Sequence, residues 1–488
     1  MSTSGDADKR LTTGVPGLDT VLAGGFLRRT SVILHGAPGS GKTVLANQIA
    51  FHQTNQGTNV LYVTLLTESH TSLLGRLRTL RFFDASAVGD KLIYVSGFRA
   101  LRERSAALLS MIREELLARR PGFLVVDGLS TIQELYGAPV LRQFLHDLQT
   151  SAEAAACTCL LISATAQTPS PEDAAVDTVL FLCEANLGLR TVRELRVNKS
   201  RGSAHIHGRH VFHIDENGVS VFPRIEALHR TPSRPIANAQ SVARFEQDAL
   251  DQMLGGGVPT ASSTALLGAT GTGKTLLGLS FLAGGLQHGE PAMYAGFFEA
   301  TSRLLASAGG IGLDLQKHAD SGRLRMDSQA AVEISLDIWG HRVLESVRTH
   351  RPTRLFIDGF NALRDSAAYP ERVSAFLTAL LNELRALDVT TMMSAELRPI
   401  IGPGVDVPVQ GLSPMVENTI LLRFVELRSH LYRLIAVLKV RGNAHQSALR
   451  EFRITSQGLY VASTFDSAEA ILDGTARPPA SGGTDEKR

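Results

Sequence analysis

Two octapeptides carry residue types at a spacing that suits phosphate chemistry. Gly36-Ala37-Pro38-Gly39-Ser40-Gly41-Lys42-Thr43 and Gly268-Ala269-Thr270-Gly271-Thr272-Gly273-Lys274-Thr275 both read G-x-x-x-x-G-K-T. Glycines placed this way let backbone N–H groups turn inward around a triphosphate, so Gly36, Gly39, Gly41, Gly268, Gly271 and Gly273 are the candidate cradle. Lys42 and Lys274 would neutralise the β- and γ-phosphates, and Thr43 and Thr275 would offer a hydroxyl to Mg2+. Each copy follows a strand-like apolar run and opens a helical stretch, whose N-terminus adds positive potential.

Further candidates follow each loop in the same order. Asp127 and Asp358 each end a short apolar run, where a carboxylate can hold the magnesium ion, usually through water. Glu68 and Glu299 lie 26 and 25 residues past the loop lysines and are the candidate general bases for a water attacking the γ-phosphate. Lys199, Arg201, Lys439 and Arg441, in two Lys-x-Arg-Gly-x-x-His segments on late strands, are candidate phosphate clamps. In a ring they would reach a neighbouring subunit's nucleotide as arginine fingers do.

These residues must be held by a duplicated scaffold. The loop recurs 232 residues on, and Gly24-Gly25 recurs as Gly256-Gly257 at the same shift. Ser163-Ala164 and Ser394-Ala395 each fall 36 residues after the aspartate. A period this long means a repeated domain, not a solenoid. Residues 31–35, 60–64, 92–95, 123–126 and 160–162 are short and nearly all apolar, as strands covered on both faces should be. Helical stretches, such as 42–56 and 106–119, alternate with them, which predicts an α/β fold: a mostly parallel sheet with helices on both faces, twice. The expected order is a tail (1–10), a first domain (11–228), a Pro-containing polar linker (229–241), a second domain (242–472) and a polar tail (473–488).

Composition narrows the options. The 488 residues carry 49 Lys plus Arg against 47 Asp plus Glu, a net +2, which argues against a strongly basic nucleic-acid binder. DNA strand exchange, a rival reading for a motor of this fold, needs cationic axial loops. The corresponding segments, 165–176 and 397–416, hold no Lys or Arg and one Arg respectively. Three cysteines without a C-x-x-C pair argue against disulfides or a zinc ribbon, and Cys157 and Cys159 read as core residues. Of the histidines in residues 205–213, strand alternation would put His205 and His207 on one face, but no Cys or carboxylate completes a metal set. So few cysteines suit the reducing cytoplasm, and a polar N-terminus with no 18-residue apolar run predicts neither signal peptide nor membrane span.

Two P-loop halves, each with Gly-Gly upstream, a glutamate after the second strand and Lys-x-Arg-Gly near the end, resemble the RecA-like ATPases of the KaiC family over roughly residues 11–472. The resemblance implies two tandem RecA-like domains, Mg-ATP as ligand, assembly into a homo-hexameric ring with ATP between subunits, and a role in signalling with a protein partner. It also implies ATP hydrolysis in one domain and serine/threonine autophosphorylation in the other. That family has two adjacent glutamates after the second strand, the first being the base. Here the first position is Thr67 in one half and Phe298 in the other, though a one-residue insertion lets Glu68 fall on either place. Of the family's Ser-Thr phosphoacceptor pair, this chain keeps one hydroxyl, at Ser413-Pro414. The expectation is a slow ATPase, with a nucleotide-gated scaffold as the alternative.

Overall fold

The computed structural model describes residues 10–165, 170–187, 189–229, 241–330, 335–397, 415–427 and 430–462. Most of both expected tails, most of the expected linker, and Ser413 lie outside the described residues. The chain divides into two compact units, Met1–Leu228 and His229–Arg488.

In the first unit the P-loop strand β1 (Ser31–Gly36) leads into α1 (Lys42–Asn55), followed by β2 (Val60–Thr64) and α2 (His70–Leu77). Then come β3 (Leu92–Ser96), α3 (Ser105–Arg119), β4 (Phe123–Asp127), α4 (Ser130–Ala154) and β5 (Thr158–Ser163). Two long strands and two shorter ones finish the sheet: β6 (Thr178–Leu187), β7 (Arg190–Ser200), β8 (His210–Asp215) and β9 (Gly218–Phe222). The sheet order is β3-β2-β4-β5-β1-β6-β7-β8-β9. The first six of these strands run parallel and the last three alternate antiparallel.

The second unit repeats this plan. It contains β10 (Ser263–Gly268), α5 (Lys274–Gln287), β11 (Ala292–Gly296), α6 (Thr301–Gly309), β12 (Leu324–Ser328) and α7 (Leu336–His350). After them come β13 (Arg354–Asp358), α8 (Val373–Ala386), β14 (Thr390–Glu396), β15 (Asn418–Leu427), β16 (His430–Val440), β17 (Arg450–Thr455) and β18 (Gly458–Val461). The order β12-β11-β13-β14-β10-β15-β16-β17-β18 matches the first sheet strand for strand.

Alternation along the central strands builds a core on each face of the sheet. Val32, Leu34, Tyr62 and Val125 face α1, whose Leu45, Ile49 and Phe51 are fully buried. Ile33, Leu61, Val63, Leu124 and Val126 face the other way, onto Leu108 and Ile112 of α3 and Leu145 and Leu148 of α4. Each such side chain contributes about 1.5–3 kcal/mol on burial. The consequence for the site is rigidity: β1, β2 and β4 are clamped on both faces, so their C-terminal ends hold Thr64 and Asp127 side by side, with Gly36 across β5 at the same edge. Open α/β sheets place their ligands at that edge.

Candidate nucleotide-binding site

Gly41 and Gly273 are the N-caps of α1 and α5, at φ +96° and +99°, a left-handed backbone that favours glycine. Space forbids a side chain as well. A Cβ on Gly41 would lie 2.5 Å from Ile214 Cδ1, and one on Gly273 would lie 2.8 Å from Ile454 Cδ1. Gly36 is bounded by the Leu182 carbonyl and by Ser40 Oγ, each 2.6 Å from where its Cβ would be.

Lys42 is buried and donates to the carbonyls of Gly36 and Ala37, 2.8 Å each. Lys274 donates to the Ala269 carbonyl at 2.8 Å. Burial holds both ammonium groups below their ordinary pKa, against the opposing pull of Asp127 on Lys42 and of Glu396 and Asp358 on Lys274. Ser40 Oγ is buried without a hydrogen-bond partner. Two partly desolvated cations that donate to loop carbonyls, with an orphaned hydroxyl in the first loop, fit a phosphate chain.

The magnesium pairs converge across the sheet end. Thr43 Oγ1 donates to Asp127 Oδ2 at 3.1 Å, and Thr275 Oγ1 donates to Asp358 Oδ2 at 2.9 Å. Burial raises the Asp127 carboxyl above its usual range, while hydrogen bonds from Tyr62 and Thr43 and the charge of Lys42 pull it down. A divalent cation beside Asp127 would supply the missing counter-charge, and the hard oxygen donors suit Mg2+. Tyr62 and Tyr294 donate their hydroxyls to the same two carboxylates, at 3.1 and 3.3 Å. Sequence reasoning missed these tyrosines, although they too stand 232 residues apart. Ser394, read only as a landmark, donates to Asp358 Oδ1 at 2.5 Å and accepts from the Gly359 N–H. Its counterpart Ser163 bonds Thr165 instead.

Glu68 and Glu299 both stand immediately before a helix N-cap, Ser69 and Ala300. Strand register pairs Thr64 with Asp127 and Gly296 with Asp358, so the extra residue of the first half lies between the strand end and Glu68. Glu68 is engaged: Oε1 accepts from Ser72 Oγ at 2.8 Å and pairs with Arg76. The residues two beyond the strand ends are Leu66 and Phe298, 39% and 69% exposed. Leu66 lies against Gly128 and Phe298 against Gly359, the glycines after the two aspartates. Leu66, rather than Thr67, is therefore the structural counterpart of Phe298, and neither can take up a proton. Thr43, Thr64, Leu66, Glu68, Arg76 and Asp127 line one cavity of about 320 Å³.

The basic segments are not brought to their own loops. Lys199 pairs with Val179 and Gly36 with Leu182, on strands that put Lys199 at the opening end of the parallel sheet. That is roughly 10–15 Å of strand from the cradle. Lys199 Nζ donates to the carbonyls of Asp173 and Val176, and Arg201 pairs with Asp177 at 3.8 Å. Lys439 Nζ donates to the Val416 carbonyl at 2.9 Å, and Arg441 follows β16 at the equivalent end. The His205 and His207 rings meet at 4.3 Å, but on an irregular segment rather than a strand. Among the described residues no three His, Cys, Asp or Glu side chains form a metal set. Cys157 and Cys159 are buried in the core. No helix among the described residues is long and apolar enough to cross a membrane.

Two nine-stranded, mostly parallel sheets, each with a P-loop between β-strand and helix and a Thr–Asp pair at the strand ends, define a protein of two tandem RecA-like P-loop domains. The chain belongs to the KaiC ATPase family, whose model matches residues 11–226 and again residues 248–465. It is 26% identical to the circadian clock protein KaiC3 of Synechocystis sp., over 96% of this chain and 95% of that one. It is 25% identical to the circadian clock oscillator protein KaiC of Picosynechococcus sp., over 96% and 92%. For the protein of that same name from Thermostichus vulcanus the figures are 26%, 96% and 92%.

Proposed function

We propose that both domains bind Mg-ATP and that the chain is a slow ATPase acting in signalling as a homo-hexameric ring. One observation carries this reading: each loop lysine, Lys42 buried and Lys274 half-buried, sits beside a hydrogen-bonded Thr–Asp pair, Thr43–Asp127 and Thr275–Asp358. When bound, Mg2+ supplies charge neutralisation at the β- and γ-phosphates. Lys42, Lys274 and the loop N–H groups orient the triphosphate, and the threonine–aspartate pairs hold the ion. Lys199, Arg201, Lys439 and Arg441 serve the nucleotide of a neighbouring copy. Slow turnover follows from Leu66 and Phe298 at the place of the general base, whose loss costs roughly 10²- to 10⁴-fold. Ser413 is the acceptor for autophosphorylation in the second domain.

The second reading is a nucleotide-gated scaffold with little catalysis, read by a protein partner. Phe298, an exposed apolar side chain against Gly359, favours it for the second domain. Calorimetry of ATP uptake, together with γ-labelled ATP and phosphosite mapping, tests both readings. Uptake lost in the double variant Lys42→Ala/Lys274→Ala, with phosphate release from the wild type, supports the ATPase. Label on Ser413 that vanishes in Ser413→Ala supports the autokinase. Uptake without release or label leaves the scaffold, and no uptake defeats all three.

A further inference from the structure

The first domain has a hydroxyl–imidazole pair where the second has none. Thr64, the last residue of β2, is paired in register with Asp127 on β4. It is 5% exposed and lines the cavity that also holds Thr43 and Asp127. Side-chain alternation puts it on the same face as Tyr62, whose hydroxyl already reaches Asp127. Its Oγ1 lies 3.0 Å from Nε2 of His70, the first residue of α2. The His70 ring packs 5.8 Å from that of Tyr94 and remains partly exposed. In the second domain the corresponding positions, by strand register and by helix start, are Gly296 and Thr301.

We propose that Thr64 and His70 form the proton relay for ATP hydrolysis in the first domain, in place of the carboxylate that Leu66 displaces. The inference rests on reading the chain as an ATPase. In the Nδ1–H tautomer, His70 Nε2 accepts the Thr64 hydroxyl proton, which leaves Thr64 Oγ1 a lone pair for a water at the γ-phosphate. As the water oxygen bonds to phosphorus, its proton passes to Thr64 Oγ1 and the threonine proton passes to His70 Nε2. The bond from phosphorus to the β,γ-bridging oxygen breaks, and its electron pair leaves with ADP. The imidazolium then releases the proton to solvent. Glu68 lines the same cavity, with its Oε1 engaged by Ser72 and Arg76. His70 acts through Thr64 and is a positioning residue.

The groups that meet the ring are Thr64 at the end of β2 and Tyr94 on β3. Burial alone lowers the imidazole's pKa, so the ring is neutral and able to accept a proton at neutral pH.

The test uses the full chain. His70→Gln and Thr64→Val each lower kcat by about 10²-fold, the low end for a general base, with KM for ATP little changed. Thr64→Ser restores turnover. Thr301→Ala, at the matching helix start of the second domain, leaves turnover as it was. In the wild type, kcat/KM, which reports the free enzyme, falls as pH drops through a value below 6.5, and His70→Gln lacks that limb. Carbethoxylation of His70 in the nucleotide-free protein, followed by peptide mass spectrometry, titrates with the same inflection. Unchanged kcat in His70→Gln and Thr64→Val overturns the relay while leaving the ATPase reading intact. So does an equal loss in Thr301→Ala, or a carbethoxylation inflection that does not match the kcat/KM limb. A wild type that binds ATP and releases no phosphate overturns both.

Discussion

At the scale of single residues, the site is built from groups that are uncomfortable without ligand. Asp127 is the clearest case, a buried carboxylate whose pKa burial raises. An acid held above its unfolded value contributes stability that is present below about pH 4 and lost as pH rises through the folded pKa. The empty first domain therefore loses that contribution by neutral pH. In Asp127→Asn the amide oxygen still accepts from Thr43 and Tyr62, and nothing ionises. Its melting temperature with a chelator should exceed the wild type's at pH 7–8, and the gap should close toward pH 4. Added Mg-ATP should reverse the order, since only the carboxylate binds the ion. Calorimetric melts across pH check this; a variant less stable at every pH would refute it. The loop glycines, the lysines and the aspartates were legible from spacing alone, because their chemistry imposes a local pattern. The tyrosines were hidden in an ordinary strand alternation. The Glu68–Arg76 pair and the Thr64–His70 pair were illegible, because each depends on how a loop sets the azimuth of α2.

At the scale of elements, the central parallel strands were the readable part. Strands buried on both faces write continuous apolar runs, and the observed spans differ from the expected ones by only one or two residues at their ends. The loop between β2 and α2 was not readable. Counting residues cannot tell whether an insertion falls before or after Glu68, whereas the strand pairing and the helix cap fix it between Thr64 and Glu68. This geometry gives a gain-of-function prediction for the shorter loop of the second half. Phe298 follows the β11 end by two residues and covers Gly359 beside Asp358. Phe298→Glu should place a carboxylate where the apolar ring now sits and raise phosphate release at least several-fold, toward the roughly 10²- to 10⁴-fold a positioned base provides. Steady-state phosphate release measures it. No rise, with ATP affinity intact, would mean that the side chain does not face the γ-phosphate.

At the scale of the whole chain, duplication is the organising fact, and it made the fold legible: the two sheets share one strand order. The distribution of charge within each unit bears on assembly. The cradle closes one end of the parallel strands, while Lys199 and Arg201 stand at the other. Light scattering should show a mass about six times that of one chain with Mg-ATP present and smaller species without it; a monomer under both conditions would defeat the ring. Arg201→Ala and Arg441→Ala should slow turnover without weakening ATP uptake by isolated chains.

The distance between cradle and basic segment within one sheet gives each domain a polarity, a giving side and a receiving side. A row of such units passes help in a single direction, and every open row ends in one unserved partner. Only a closed circle leaves none. Dilution should therefore quench turnover abruptly rather than in proportion, because losing one member strands its neighbour as well.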